Sequence, residues 1–438
     1  MRAPWLLTSL LAVPLAGLQA QDDRCVFRIE YIGRQGTTEE TPAGTNYFAG
    51  GGVRLFCAGT TIRMESDSVA AFDGGRVTYF IGNVKYRDST LALDADRGTW
   101  LRDAATWEAR GNVFSRNLEN GSTIAGPSLD YLRPREGLRA EAEMYATGRP
   151  RIEYAAADST GESAEPYVIV ADRVRMRGDD RMWGGGSVTI DRSDFSGRSD
   201  SLWLDSGARG QGSMIGGSPE VVGSGDNPYR LSGDRIDMEL QQSALQRVIA
   251  RDNAHALNDE WDLTGRNIAV HLWHDAADRI DAWGGQGEAR PRARSDLYRV
   301  VADSIALDLP EGTLSLLQAY GDSRLDSAPD SLTGEADWIS GDTVVASFMP
   351  ADAAGSEGTT VLDRLVARSD ARSFRQIHPA GSPQAPPSLN YVRGNVIVVT
   401  MKRPPAEGVD RVDVEGQVEG VQLEPAAGSS GGREGRGS

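Results

Sequence analysis

The chain has 438 residues and a formal charge of -17, from 63 acidic against 46 basic side chains. That balance disfavours an electrostatic grip on nucleic acid or on an anionic membrane surface. The basic residues are nearly all arginines scattered between acids, with lysine only at Lys85 and Lys402, so no basic patch can be drawn.

In chain order, Met1 and Arg2, an apolar stretch from Trp5 to Leu18 and the small Ala20 read as a secretory signal peptide over 1–20, with the mature chain beginning at Gln21. Pro14 and Gly17 break that stretch, and nowhere else does the chain approach the roughly 20 apolar residues of a membrane helix. The expectation is an exported protein that is not integral to a membrane. Cys25 follows Asp22, Asp23 and Arg24, which is not a lipid-attachment context. Residues 21–60 form an N-terminal segment whose Cys25 and Cys57 are expected to form one disulfide in an oxidising compartment. Without a C-x-x-C pair, redox catalysis is not indicated.

Residues 61–154 carry short alternating runs. In GNVKYRDSTLALDADRGTW, from Gly82, the residues Val84, Tyr86, Leu91 and Leu93 face one side while Lys85, Arg87, Ala92 and Asp94 face the other. Asp88-Ser89 and Asn120-Gly121 supply turns. A linker is expected over 155–165. The repeats resume over 166–425, with Val174 and Met176, then Ile236, Met238 and Leu240, then Ile268, Val270 and Leu272, then Ile305, Leu307 and Leu309 as successive first runs. Asp234, Asn267 and Asp303 precede three of these runs at intervals of 33 and 36 residues, which makes a unit of about 35 residues holding two strands. Second runs follow as Arg247-Val248-Ile249-Ala250, Arg279-Ile280-Asp281-Ala282 and Arg411-Val412-Asp413-Val414. Interruptions fall at 155–165, 350–358 and 379–387, and the tail 426–438 is expected to be disordered. Alternation at period two, with valine and isoleucine enrichment, predicts an all-β fold: an elongated antiparallel stack of repeated strand pairs. About ten units, each adding one strand to both of two walls, give a stack of roughly 50 Å.

Catalytic and metal motifs are weak. A G-x-S-x-G pattern at Gly428 to Gly432 lies in the tail without a strand-to-helix elbow. The acid pairs Asp94/Asp96 and Asp179/Asp180 read as solvated faces or turns rather than acid–base pairs or calcium ligands. His255, His271, His274 and His378 are too few and too dispersed for a zinc site, so no metal is expected. Gly284-Gly285-Gln286-Gly287 lacks the helix of a nucleotide loop and reads as a strand-end turn. Trp100, Trp183, Trp203, Trp261, Trp273, Trp283 and Trp338 recur near strand ends, where capping the core is the plain reading. No enzyme activity and no cofactor are expected.

The texture of GNVKYRDSTLALDADRGTW, of ADRVRMRGDDRMWGGGSVTIDRSDFSGRSDSLWLD and of LNYVRGNVIVVTMKRPPAEGVDRVDVEGQVEGVQLEP resembles the OstA-like or LptA-like periplasmic family of lipopolysaccharide transport over most of residues 60–425. The resemblance implies a folded-over strand stack, a β-jelly roll or β-taco with an apolar groove that shields the acyl chains of lipopolysaccharide or a related lipid. It also implies a periplasmic location, with association to the outer membrane, and edge-strand pairing with other components of that transport. On this reading the inward stripe of Met176, Ile236, Met238, Leu240, Ile268, Val270, Leu272, Ile305 and Leu307 is the lipid groove. A structural or adhesive exported β-repeat protein, with a closed core and no ligand, is the alternative. The chain is longer than one bridging domain of that family needs and has no recognisable membrane barrel after its repeats.

Overall fold

The computed structural model describes residues 25–425 apart from 155–164, 194, 208, 225–227, 242–243, 274–275, 285–288, 351–359, 380–383, 404–405 and 407. The signal segment at 1–20, the tail at 426–438 with its Gly428 motif, the linker except Glu165, His274, and much of the interruptions after 350 and 379 therefore lie outside the described residues.

Among the described residues the alternating runs fold as thirty strands, all antiparallel and joined in one sheet. The first eight show the plan: β1 (Phe27–Ile32), β2 (Thr37–Thr41), β3 (Gly44–Cys57), β4 (Arg63–Phe72), β5 (Val77–Arg87), β6 (Leu91–Leu101), β7 (Thr106–Asn117) and β8 (Thr123–Leu132). From β3 onward each is a rung that bends near its middle, so that its two halves lie in two facing walls. Wall A contains β1 and residues 53–57, 63–66, 84–87, 91–95, 113–117 and 123–126; wall B contains β2 and residues 44–50, 68–72, 77–81, 97–101, 106–110 and 128–132. The walls continue to Glu419–Leu423 in A and Val409–Glu415 in B. Residues 21–60 are thus not set apart: 27–57 supply the first two rungs.

Eight rungs are broken at the bend into two strands, as β1 and β2 are, so the thirty strands make twenty-two rungs. At ~4.8 Å per strand the stack is about 100 Å long. The sequence estimate of 50 Å is too short by half because the chain reverses after each rung, so a 35-residue unit adds two strands to each wall.

The bend has a repeated chemistry. Register slips at Ile81/Val84, where Gly82 (φ 78°) and Asn83 (φ 48°) take left-handed backbone, and Asn83 Nδ2 donates to Asp67 Oδ2 of the neighbouring rung at 2.9 Å. A Cβ on Gly82 would lie 2.3 Å from that oxygen, so both the conformation and the contact require glycine. The same pairing recurs as Asn112 with Asp96 and as Asn253 with Asp234, at 2.9 and 2.8 Å. These left-handed pairs act as bulges that re-aim the strand from one wall to the other. Asn267 does not belong to this series: it pairs with Arg251 and Trp283, one position beyond the places of Asp234 and Asp303. The isoleucines Ile236, Ile268 and Ile305 nevertheless fall in one row, because register rather than spacing from the acid places them.

Candidate functional site

The nine residues of the expected groove lie together, on the inner face of wall B alone. Cross-strand register connects Met176, Met182 and Leu204 and then, through Gly212, Met238, Val248, Val270, Ile280 and Leu307 in one row. Ile236, Ala250, Ile268, Ala282 and Ile305 form the next row toward the bend. Leu240 and Leu272 lie further toward the free rim. Along this stretch the walls are shut on each other: Ile236, Met238, Ile268, Val270, Leu272, Ile305 and Leu307 are buried, while Met176 and Leu240 are half-buried against the same core. Wall A closes on them with Leu231, Ala256, Leu263 and Ala293, which are also buried. Between the walls here a space of about 40 Å³ remains, beside Trp261 and Leu307. Side chains occupy the interior where the sequence places the groove, because the two walls supply matching apolar rows.

The free rim of the two walls is also bridged. Tyr86 and Asp88 of wall A meet Tyr131 and Arg133 of wall B. Tyr86 Oη donates to Asp88 Oδ2 at 2.6 Å, the tyrosine rings lie 6.0 Å apart, and Arg133 Nε stands 3.6 Å from the carboxylate. Asp88 also accepts from the Thr90 and Leu91 amides at 2.9 and 2.7 Å, making its own turn. Burial pushes the Tyr131 hydroxyl up to about 12, helped by the Asp88 charge and opposed by Thr90 and Arg133. Burial raises Tyr86 as well. Further along, Asn117 Nδ2 donates to Asp179 Oδ1 at 3.0 Å across the rim, and Tyr154 bonds to Ser206.

The interior opens at the N-terminal end. A cavity of about 620 Å³ lies between Phe27, Ile29 and Leu55 of wall A and Tyr47, Ala49, Val69, Ala71 and Thr78 of wall B, with Ile32 and Gly36 at the bend. Ile29 pairs with the buried Leu55 and faces inward, yet is 56% exposed. Among the described residues no further rung covers it. Thr37, Thr38, Arg28 and Arg102 add polar groups to an otherwise apolar lining. Cys25 and Cys57 form a disulfide, with Cα atoms 5.3 Å apart, that ties the chain preceding β1 to the end of β3. Near the other end a cavity of about 150 Å³ lies between Leu325, Ile339 and Ser373 of wall A and Leu365, Val399 and Val409 of wall B. Asp337 lines it, and burial raises its carboxyl despite the bond from the Gln376 amide at 2.8 Å.

No protein-family model and no curated protein matches the sequence. Among solved structures, the chain is similar to LptH of Pseudomonas aeruginosa, described as the LptA-homologous periplasmic component of the lipopolysaccharide transport device. That likeness has a TM-score of 0.25 and 16% identity, over 30% of this chain and 92% of the other.

The remaining residues singled out from sequence lie elsewhere. His255 and His271 pair with Asp262 and Asp281 across neighbouring strands at 2.8 and 2.9 Å, and His378 pairs with Asp330 at 2.9 Å. Asp94 pairs with Arg87, Asp96 accepts from Asn112 at a bend, and Asp180 sits in a turn beside Arg181. Capping describes only some tryptophans. Trp100 and Trp261 are buried, but Trp183 and Trp203 are cross-strand neighbours on the outer face, with Arg175 5.3 Å from the Trp183 ring, and Trp273 is 65% exposed. Trp107, fully buried and not singled out, lies inside.

Proposed function

We propose that this chain is an exported, non-enzymatic periplasmic protein that shields the acyl part of a lipid, of lipopolysaccharide type, during outer-membrane assembly. Its binding place is the N-terminal end of the stack and not the middle stripe. The observation that carries this reading is the 620 Å³ cavity whose inward Ile29 is left uncovered. That volume is within the roughly 300–1,000 Å³ of small-molecule sites, and its lining is largely apolar with a few polar groups. Acyl burial would be driven at about 0.8 kcal/mol per methylene. The lipopolysaccharide class rests on the sequence resemblance. The stack ends suit edge-strand partners: among the described residues β1 and β2 each pair only with β3, and the two last strands only with Ser388–Met401.

The closed middle favours a second reading, an exported structural rod without ligand. Photo-crosslinking in cells separates the two, using benzoylphenylalanine at Ile29 or Ala49, with Met238 in the closed core and His271 on the outer face as controls. Lipopolysaccharide adducts at Ile29 and Ala49 and none at His271 support the lipid reading. Absence of any lipid adduct at both cavity positions would replace it with the structural one.

A further inference from the structure

The cavity has a floor. Moving inward from the end, the rim-side row of wall B runs Tyr47, Ala71, Thr78, Trp100, Trp107 and Tyr131 by cross-strand register, so that behind the exposed Tyr47 at the entrance the small Ala71 and Thr78 give way to large side chains within one strand. The row nearer the bend runs Ala49, Val69, Phe80 and then Gly98. Phe27 from wall A is the ring of this group that lines the cavity, and Phe80 and Trp100 stand behind the lining: the Phe27 ring lies 5.8 Å from Phe80 and 5.9 Å from Trp100, while Phe80 lies 5.2 Å from Trp107 and Trp107 lies 5.8 Å from Tyr86. Edge-to-face and offset contacts at these distances are the packing that aromatic rings prefer. Gly98 is what admits the last ring, since a Cβ there would lie 2.2 Å from Trp107 Cζ2. Phe80, Trp100, Trp107 and Tyr86 are all nearly or fully buried, and beyond them the walls are bridged at Asp88 and Arg133.

Resting on the lipid reading above, we infer that the site is blind and that Phe27, held by Phe80 and Trp100 packed behind it and backed by Trp107, sets the length of acyl chain it accepts. Apart from Arg102, the lining comes from the first four rungs, so a chain entering from the end and lying along the stack meets the rings after three strand spacings, about 14 Å. The occupant is one end of a lipid, held with its polar head at the end of the stack. A continuous channel would need these rings to part along the whole stack, and the filled core behind them offers no space for a longer chain.

The test is displacement of dansyl-undecanoic acid from the full mature protein by saturated fatty acids from octanoate to stearate. In the native protein, affinity rises by about fourfold per added methylene and then stops rising at a fixed length. Phe80→Ala and Trp100→Leu move that limit to longer chains, with a gain on the order of tenfold for the first acid beyond it. Ile29→Trp at the entrance weakens every acid without moving the limit. A native series with no limit, or a limit unmoved in both floor variants, overturns the inference and leaves the lipid reading standing. Failure of the dansyl probe and of every acid to bind the native protein removes both. Because floor variants can unfold, fatty acids brominated at the terminal carbon are a second measure on the native protein. At the limiting length they should quench Trp100 and Trp107 fluorescence more than acids brominated beside the carboxylate, and equal quenching counts against the floor.

Discussion

Arg133 reaches from the rim of one wall to Asp88 on the rim of the other, its Nε 3.6 Å from a carboxylate that is 4% exposed. Asp88 therefore does two jobs at once: it closes its own turn through the Thr90 and Leu91 amides and anchors the opposite wall. Asp88→Ala leaves those amides and the Tyr86 hydroxyl without that acceptor and Arg133 without its counter-charge, and should cost about 3 kcal/mol locally. Arg133→Ala should cost less, because the amide and tyrosine bonds to Asp88 remain. In a stack of nearest-neighbour rungs the loss is local, so the measurement is native-state hydrogen exchange of the β5 to β8 amides. Faster exchange there, with Leu231 and its neighbours unchanged, is the expected pattern.

Reduction of the Cys25–Cys57 bond should loosen the first rung. The bridge closes a loop with a sequence separation of 32, worth about 3 to 4 kcal/mol on the chain-entropy model. β1 has strand partners on one side only, so little else retains it. With dithiothreitol, or in Cys25→Ser with Cys57→Ser, limited proteolysis should cut near β1 first, and binding at the N-terminal cavity should fall, since Phe27 and Ile29 form one of its walls. The rungs beyond β8 should keep their exchange rates.

Much of wall B is legible in the sequence because its strands are continuous alternating runs rich in valine, isoleucine and methionine, as at Ile236 to Leu240 and Ile268 to Leu272. Wall A is harder to read. Its inner residues include Ala256 and Ala293, and several of its strands span three or four residues, so the period-two signal is short. The cavity has no sequence signature, since among the described residues Ile29 differs from Leu55 in having no next rung to cover it. Asp88 can be recognised as a turn residue, but its partner Arg133 is 45 positions away. The middle stripe faces inward as the alternation predicts, but alternation leaves open whether the facing wall fills the space, which along this stretch it does.

Gly98→Ala tests the packing of the floor from its other side. The added methyl meets the Trp107 ring at 2.2 Å, inside a core where Trp107 is fully buried. Overpacking of this kind costs about 1 to 3 kcal/mol. The ring has to shift, so the near-ultraviolet circular dichroism of the tryptophans should change even where far-ultraviolet strand content does not. Gly98→Ala with Trp107→Leu should recover most of the loss, and a double variant no more stable than Gly98→Ala alone would remove the ring as the cause.

Alkaline titration provides a check on the rim clasp. Burial first, then the Asp88 charge, raises the Tyr131 hydroxyl from 10 to about 12, and burial also raises Tyr86. A folded pKa above the unfolded one means that the folded form holds its proton more tightly, so the stabilisation is complete below pH 10 and declines as pH rises from 10 toward 12. For Tyr131 the decline amounts to roughly 2 to 3 kcal/mol over those two units. By ultraviolet absorbance, Tyr86 and Tyr131 should ionise together with loosening of β5 to β8. In Tyr131→Phe the proton-linked part of that decline should shrink, since phenylalanine has no proton to lose. If the variant and native proteins lose stability equally between pH 10 and 12, the buried hydroxyl is not the linked group, and the other raised tyrosine of the clasp, Tyr86, becomes the residue to replace.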